Sequence, residues 1–264
     1  DIFTRDCLDN MIDGKLIEEK RYDKRALDLL KQDPVVPSKH GSNSIHFALR
    51  SPYIYYEKKI RQLIRPCHKV LEIGSGTGLH TYSLLKTGAH ITATDISSNA
   101  LKVVEMNLQE LRGGGELKTL LADMELLPFE NQSFDVVTSA GSLSYGEAQK
   151  VDQEILRVLK PTGFFICVDS LNNNPIYKLN RYIHYLKGDR TKMTLQNMPS
   201  LKRISSISKK YKEIEVKYFG SISFLMPLLS KFLTDNTVNN LSKNIDKIIK
   251  VRKSAFKFVM VVKK

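Results

Sequence analysis

Short apolar runs alternate with stretches of helical periodicity between residues 69 and 170. Brief runs rich in apolar and β-branched residues, bounded by glycine or polar clusters, are typical of buried strands, and apolar positions three or four residues apart are typical of helices. The pattern predicts strands at Lys69–Ile73, His90–Asp95, Leu117–Leu121, Phe134–Ser139 and Phe164–Asp169, and helices at Leu79–Leu85, Ser98–Leu111 and Gln149–Leu159. This alternation predicts βαβ units and a doubly wound α/β fold, with a parallel sheet covered on both faces.

The flanking segments follow a less regular pattern. Helices and loops are predicted before residue 66, with a break at Asp33–Pro37. After residue 170 we expect helices at Tyr177–Leu186 and Ser200–Lys209, strands at Glu213–Tyr218 and Phe256–Val262, and a basic helix with Leu241, Ile245, Ile248 and Ile249 on one face. That apolar face is expected to pack against the sheet, and a position on a membrane surface is the alternative.

Composition argues against several classes of protein. The chain has 264 residues, 42% of them hydrophobic, so a disordered or collagen-like protein is not expected. Its three cysteines lie far apart and its six histidines form no cluster, so neither a disulfide framework nor a metal site is predicted. We expect no transmembrane segment and no signal peptide, because no apolar run is long enough and the first residues are acidic. A reducing, cytoplasmic location is the expectation.

Charge is distributed unevenly along the chain. The formal net charge is +13, but residues 67–170 hold 8 basic and 13 acidic residues (−5), whereas residues 171–264 hold 20 and 5 (+15). Such asymmetry indicates an anionic partner, which could be a phosphorylated small molecule, a nucleic acid or a membrane surface. A solvated basic face without a partner is an equally good explanation of this signal taken alone.

The run from Val70 to Gly78 carries the most specific chemical signal. It predicts a strand, a glycine turn and then a helix, so backbone N–H groups at the helix start would face a polar or anionic ligand group. Asp95 ends the second predicted strand, 21 positions after Gly74, where a carboxylate can accept hydrogen bonds from two ribose hydroxyls. A nucleoside-containing cofactor is therefore predicted. The dinucleotide fingerprint G-x-G-x-x-G needs a glycine at position 79, where this chain has Leu79, so the turn does not match a dinucleotide site.

The turn reads E-x-G-x-G-x-G, and this pattern resembles the first motif of the class I S-adenosylmethionine-dependent methyltransferases. Three later segments are similar, in order and spacing, to motifs of the small-molecule (methyltransferase domain 11-like) branch of that family: Ala122-Asp123-Met124 with Leu127-Pro128-Phe129, Ser133–Ser139 and Leu156–Gly163. The resemblance covers about residues 66–170. It implies an enzyme with a seven-stranded, mostly parallel sheet and an antiparallel last strand.

The resemblance also implies the cofactor S-adenosylmethionine, with S-adenosylhomocysteine as product, and it assigns cofactor contacts. Backbone groups of the turn would hold the methionine portion, and Glu72 would orient that turn or reach the ammonium through water. Asp95 would bind the ribose, Asp123 the adenine amino group, and the Ser139 carbonyl would lie near the ammonium. His80 would contact the carboxylate or cap the helix. The cofactor set is Glu72, Gly74, Ser75, Gly76, Gly78, His80, Asp95, Ile96, Asp123, Met124 and Ser139, and core packing is the alternative role of Ile96 and Met124.

Methyl transfer from a sulfonium needs chiefly an aligned acceptor and an active site closed to water. Groups at the carboxyl ends of the strands and on covering segments are the candidates for acceptor alignment and general-base catalysis. These are Tyr145, Asp169, His40 and His46, with Tyr53 and Tyr56 as acceptor contacts. Related enzymes often have histidine where Tyr145 stands, so the base stays open. Asp169 could instead cap Asn172, and either histidine could simply form loop hydrogen bonds.

The segment after the fifth predicted strand carries basic and aromatic residues. Arg181, His184 and Arg190, with Tyr177 and Tyr185, suit a phosphate and a ring or sugar. The alternative is a helix that packs its tyrosines on the core and solvates its arginines. We expect residues 1–65 to form a helical cap or lid and residues 66–264 one methyltransferase domain, with residues 172–212 as an acceptor-side insert.

Three functional hypotheses follow. The first is methyl transfer to the oxygen, less readily the nitrogen, of a small anionic acceptor, such as a phosphorylated, nucleotide-linked or sugar intermediate of bacterial glycan or capsule biosynthesis. The second is an RNA methyltransferase, which the basic C-terminal third would also serve. The third is a cofactor-binding regulatory protein without catalysis. The oligomeric state cannot be inferred from these patterns.

Overall fold

The computed structural model describes residues 2–31, 41–45, 47–108, 115–220, 237, 240, 244, 252 and 254–264. Only the backbone is described for residues 2–13, 43, 44 and 47–49. Within this part of the chain, the structure shows no helix of sufficient length and apolarity to cross a membrane.

Seven strands form one sheet in the order β3-β2-β1-β4-β5-β7-β6. Their bounds are β1 Lys69–Ile73, β2 His90–Asp95, β3 Leu117–Leu121, β4 Phe134–Ala140, β5 Leu159–Ser170, β6 Glu213–Phe219 and β7 Lys257–Lys263. β7 runs antiparallel to both β5 and β6, and the pairs from β3 to β5 are parallel. Strand order reverses between β1 and β4, and in open sheets of this kind ligands bind at the carboxyl ends beside such a reversal.

Helices pack on both sides of the sheet. They are α1 Ile2–Leu30, α2 Phe47–Leu63, α3 Thr81–Leu85, α4 Ser98–Leu108, α5 Ala148–Val158, α6 Pro175–Leu186, α7 Lys192–Gln196 and α8 Leu201–Ser208, with a 3-10 turn at Gly41–Ser44. Successive residues of β4 point to opposite faces, so Val137 joins one apolar cluster and Val136 the other, and both are fully buried. The doubly wound fold with its antiparallel last strand is confirmed.

Most predicted elements agree with the structure to within two residues, and the differences have physical causes. β5 begins at Leu159 rather than Phe164, because Phe134 pairs with Leu159 and the register then shifts to Val136 with Phe164. The helix before it therefore ends at Val158. α1 is one continuous helix of 29 residues in the region where helices and loops were predicted without bounds, and it ends before the predicted break at Asp33–Pro37. Leu111 and the apolar face from Leu241 to Ile249 lie outside the described residues.

Candidate active site

A cavity of about 370 Å³ lies at the carboxyl ends of the central strands, beside the reversal of strand order. Twelve of the predicted site residues line it: Tyr53, Gly74, Ser75, Gly76, His80, Asp95, Ile96, Asp123, Met124, Tyr145, Asp169 and Arg190. The cavity therefore brings residues expected to bind the cofactor together with residues expected on the acceptor side.

The glycine turn after β1 forms one wall. Gly74, Gly76 and Gly78 all have positive φ, at 64°, 54° and 85°. A Cβ on Gly74 would lie 2.4 Å from the Cβ of Ser142, so only glycine fits there. A Cβ on Gly76 would meet nothing within 4 Å, whereas Gly78 faces α4 and does not line the cavity. The turn thus exposes backbone at Gly76 and packs tightly on either side of it.

Glu72 lies beneath this turn rather than in the cavity wall. Its side chain is buried, and Oε2 accepts a hydrogen bond of 2.5 Å from the Thr81 hydroxyl at the start of α3. Its backbone carbonyl accepts from the Thr94 hydroxyl at 2.9 Å. Burial raises the pKa of Glu72 to about 8. These contacts join β1, β2 and α3, and they support the role of orienting the turn.

Asp95 ties the end of β2 to the glycine turn. Its Oδ2 accepts from the Gly76 N–H at 2.8 Å, and its Oδ1 accepts from the Ser97 N–H at 2.9 Å. Burial raises the pKa of this carboxyl, although the same backbone N–H groups oppose the shift. The carboxylate is held in place yet remains part of the cavity wall, as a ribose-binding group must be.

The loop after β3 contributes Asp123 and Met124 to the cavity. Lys15 of α1 reaches this loop, and its Nζ lies 2.7 Å from Asp123 Oδ2 and 2.8 Å from Glu125 Oε1. The position predicted to accept from the adenine amino group is therefore paired with a lysine. Sequence patterns did not single out Lys15.

His80 lies between two tyrosines at the other side of the turn. Its ring stacks on Tyr53 with centroids 5.0 Å apart and meets Tyr56 edge-on at 5.8 Å. It stands at the N-cap of α3 but makes no side-chain capping bond, so the capping alternative is not observed. Nδ1 is buried and has no hydrogen-bond partner among the described residues. Burial, with a smaller effect of Lys257, lowers the pKa of His80 to about 4.

We expect His80 to reduce stability at mildly acidic pH. The folded state holds this ring neutral down to about pH 4, whereas the unfolded chain binds a proton near pH 6.5. Folding therefore releases a proton between these values, and the free energy of unfolding falls as pH drops. The loss attributable to His80 between pH 7 and pH 5 is about 2 kcal/mol. Denaturant titrations at both pH values would give the free energy of unfolding of the wild type and of His80→Asn. The wild type should lose more stability on acidification than the variant, and an equal loss in both proteins would contradict the lowered pKa of His80.

The acceptor side of the cavity contains a pair of tyrosines. The Tyr22 hydroxyl of α1 donates to the Tyr145 hydroxyl at 2.7 Å, and the rings meet edge-on with centroids 5.4 Å apart. Burial, together with the nearby Tyr145, raises the pKa of Tyr22 well above its usual value. Tyr22 was not among the predicted residues. Its signal in the sequence is the spacing of Lys15, Glu18 and Tyr22, a polar stripe on α1 that faces the cavity.

Asp169 lines the cavity but is engaged by backbone. Its Oδ2 accepts from the Leu143 N–H at 2.9 Å and its Oδ1 from the Ser170 N–H at 2.6 Å, and these contacts differ from the alternative role as a cap on Asn172. Burial raises the pKa of Asp169, and Lys257 opposes the shift. Lys257 of β7 also lines the cavity, with Nζ 5.0 Å from the centre of the Tyr53 ring. The terminal strand was not expected to contribute a cation.

Two predicted acceptor residues on α6 lie away from the cavity lining. Arg181 is buried, donates to the Leu171 carbonyl at 3.0 Å and lies over the rings of Tyr177 and Phe256. His184 is on the outside, with Nδ1 2.9 Å from Asp189 Oδ2. The expectation of acceptor contacts fails for both because helical periodicity turns them away, and Arg190 alone of the three lines the cavity.

Four other predicted residues also lie off the cavity wall or outside the described chain. Tyr56 is fully buried behind His80. The Ser139 hydroxyl lies 2.7 Å from that of Ser142, beneath the turn. His40 and His46 lie outside the described residues, so their roles remain predictions. Among the described residues, no group of His, Cys, Asp and Glu side chains could hold a metal ion.

Comparison with known proteins places residues 71–167 in a family model described as a methyltransferase domain. The chain is 32% identical over 151 residues to sterol 4-C-methyltransferase strm-1 of Caenorhabditis elegans, covering 57% of this chain and 44% of that protein. It is 36% identical over 122 residues to demethylmenaquinone methyltransferase of Clavibacter sepedonicus, covering 46% and 48%. The aligned regions thus span about half or less of these relatives.

Solved structures share the fold. The [4+2]-cyclase SpnF matches with a TM-score of 0.62 at 17% identity, covering 93% of this chain and 94% of that one. Geranyl diphosphate C-methyltransferase from Streptomyces coelicolor matches with a TM-score of 0.56 at 15% identity, covering 82% and 79%. The sheet order, the glycine turn with Asp95 and the matched family model agree, and residues 71–167 form a methyltransferase domain similar to those of the class I S-adenosylmethionine-dependent enzymes.

Proposed function

We propose that this protein transfers a methyl group from S-adenosylmethionine to the oxygen of a small anionic acceptor. The observation that carries the proposal is the composition of the cavity, where the glycine turn, Asp95 and Asp123 share one space with three tyrosines and three cationic side chains: Tyr22, Tyr53, Tyr145, Lys15, Arg190 and Lys257. The bound cofactor would supply an activated methyl group on a sulfonium.

The residues on one side of the cavity fit this cofactor. The buried Ser75 hydroxyl, which has no hydrogen-bond partner among the described residues, would bind the methionine end, and the open space above Gly76 would let that end approach the turn closely. Asp95 would hold the ribose hydroxyls, and Asp123 would accept from the adenine amino group with Met124 against the ring. Lys15 already pairs with Asp123. On cofactor binding, the Asp123 carboxylate would either accept from Lys15 and the adenine amino group together, or lose its contact with Lys15 and accept from the adenine alone.

The opposite side suits a hydroxyl acceptor with a negative charge. Because Tyr22 donates to Tyr145, the Tyr145 hydroxyl keeps its own proton for a further hydrogen bond and can orient an acceptor oxygen. Arg190 and Lys257 would bind the anionic group, for which a phosphate is a suitable partner. A phosphorylated or nucleotide-linked sugar of bacterial glycan synthesis combines these features. Asp169, His40 and His46 remain candidates for proton removal.

A carbon acceptor is the second candidate for the same site. Two relatives carry carbon methylation in their names, a sterol 4-C-methyltransferase and a ubiquinone/menaquinone C-methyltransferase. The matched family model, however, spans only residues 71–167. Tyr22, Arg190 and Lys257 lie outside it, so the side chains proposed to bind the acceptor are not part of the family match. An RNA acceptor is the third candidate, favoured by the basic C-terminal third.

Transfer from methyl-labelled S-adenosylmethionine to separated cell fractions would test the proposal. Label in nucleotide sugars and phosphorylated metabolites is expected, and carbon-13 in the methyl group would then distinguish a methyl ether from an N-methyl or C-methyl product. Label in RNA would favour the RNA acceptor, and label in the lipid fraction would favour a carbon acceptor of the quinone or sterol type; either result would contradict the small anionic acceptor. Cofactor binding without transfer to any fraction would favour a regulatory protein.

Replacing Tyr145 by phenylalanine is expected to lower kcat about tenfold to a hundredfold, because the acceptor oxygen loses its orienting hydroxyl. Tyr22→Phe should have a smaller effect in the same direction, since it acts through Tyr145. Single-turnover rates and cofactor Kd would be measured together, and Kd should be unchanged. Tyr55→Phe serves as control, because that hydroxyl contacts Glu215 outside the cavity lining. An unchanged rate in Tyr145→Phe would remove this role.

A further inference from the structure

Helix α6 presents an apolar surface to solvent. Ile176, Leu179, Tyr182, Ile183 and Leu186 expose between 41% and 66% of their surface. At about 100° per residue these five side chains occupy one continuous arc of about 120° on the helix. We call them the α6 outer face. A surface helix normally shows the reverse arrangement, with its apolar side turned to the core.

The inner face of α6 is already occupied, so the outer face is not a misplaced core face. Tyr177 and Arg181 are buried there and contact Phe256, the residue before β7. Asn174 caps the helix, accepting from the Ile176 N–H at 2.9 Å, and its side-chain amide donates to the Ser254 carbonyl at 2.9 Å. The orientation of the helix is therefore fixed from within by specific contacts.

The charges around the α6 outer face are basic. Lys178 flanks the apolar arc on one side of the helix and Lys187 on the other, and both are exposed. Lys192 follows at the start of α7. Asp189 is the acidic residue between Pro175 and Lys192, and it is paired with His184. An apolar arc bordered by lysines is the arrangement of helices that lie in the interface of an anionic lipid bilayer.

The segment that carries the α6 outer face begins and ends at the cavity wall. Ser170, before the helix, and Arg190, after it, both line the cavity, so the segment leaves the cavity wall and returns to it. We infer that the α6 outer face docks on an anionic membrane surface, with the five apolar side chains entering the acyl boundary and the lysines meeting the headgroups. This inference concerns where the protein works and does not rest on the proposed methyl transfer.

A tryptophan reporter can test the docking, because the chain contains no tryptophan. Leu186→Trp, in the full chain, should show a blue-shifted emission on addition of vesicles of mixed phosphatidylcholine and phosphatidylglycerol. Met106→Trp is the matched control, since Met106 on α4 is 61% exposed and remote in sequence from α6. Its emission should not shift. No shift at residue 186, or equal shifts at both positions, would overturn the inference.

Charge placed on the α6 outer face provides the second measurement. Leu179→Glu combined with Leu186→Glu should lower the partition coefficient for the anionic vesicles at least about tenfold, with the melting temperature unchanged. Met106→Glu should bind as the wild type does, and pure phosphatidylcholine vesicles should bind the wild type much more weakly.

A lowered melting temperature in the double variant would show that another segment of this chain covers the α6 outer face. If the wild type were a dimer and the double variant a monomer, a second copy of the chain would cover the α6 outer face. Either result would replace the membrane as the occupant.

Discussion

Asp95→Ala is expected to weaken S-adenosylmethionine binding by at least about a hundredfold. A carboxylate that accepts from two ribose hydroxyls contributes two charge-assisted hydrogen bonds, each of about 1.5 to 3 kcal/mol. The substitution also frees the Gly76 N–H, which now donates to Asp95 at 2.8 Å, so the turn loses a fixed backbone position. Titration calorimetry measures the affinity directly.

The control for this experiment is Asp135→Ala. Asp135 is also a carboxylate on the sheet, but it lies near the amino end of β4, where it accepts from Lys160 Nζ at 2.7 Å. Its loss should leave cofactor affinity unchanged. Circular dichroism and thermal melting would establish that both variants fold. Wild-type affinity in a folded Asp95→Ala protein would remove the ribose assignment and with it the main support for a nucleoside cofactor in this cavity.

Arg203→Met is expected to lower the free energy of unfolding by about 3 kcal/mol or more. The guanidinium is buried, lies 2.7 Å from Asp152 Oδ1 and donates to the Leu143 carbonyl at 3.0 Å. Methionine of similar length leaves the Asp152 carboxylate and this carbonyl without their partner in a poorly hydrated site. Denaturant unfolding of the variant beside Lys202→Met, whose side chain is exposed on the same helix, measures the difference.

The effect of Arg203→Met should extend to the cavity. Leu143 sits between the Arg203 contact at its carbonyl and the Asp169 contact at its N–H. The same loop carries Tyr145, so a folded fraction of the variant should bind the cofactor normally but transfer methyl groups more slowly. If Arg203→Met were as stable as Lys202→Met, the Asp152 carboxylate would have to be bound by water or by another side chain instead of Arg203.

The central sheet could be predicted from sequence because its strands are short apolar runs bounded by glycine and polar residues. β1, β2 and β3 have the expected bounds, and the turn with Asp95 occupies the expected edge of the sheet. β5 starts earlier than expected because pairing with Phe134 lies across the bulge. The local sequence pattern predicts where strands lie, but it does not predict the register in which two strands pair.

The acceptor side was harder to predict, because its residues come from elements distant in sequence. Tyr22 and Lys257 line the same cavity from opposite ends of the chain, and nothing local to either residue signals this. Helix α6 illustrates a second difficulty. Both of its faces carry apolar or aromatic residues, so the pattern could not decide whether Arg181 faced the cavity or the core. The observed contacts of Arg181 with Tyr177 and Phe256 decide it.

Helix α1 contacts both halves of the cavity, and this arrangement has a kinetic consequence. Lys15 binds the loop that carries Asp123, and Tyr22 binds Tyr145, seven residues further along the same helix. A rigid helix cannot withdraw from one half without disturbing the other. We therefore expect the spent cofactor and the methylated product to depart in one opening event.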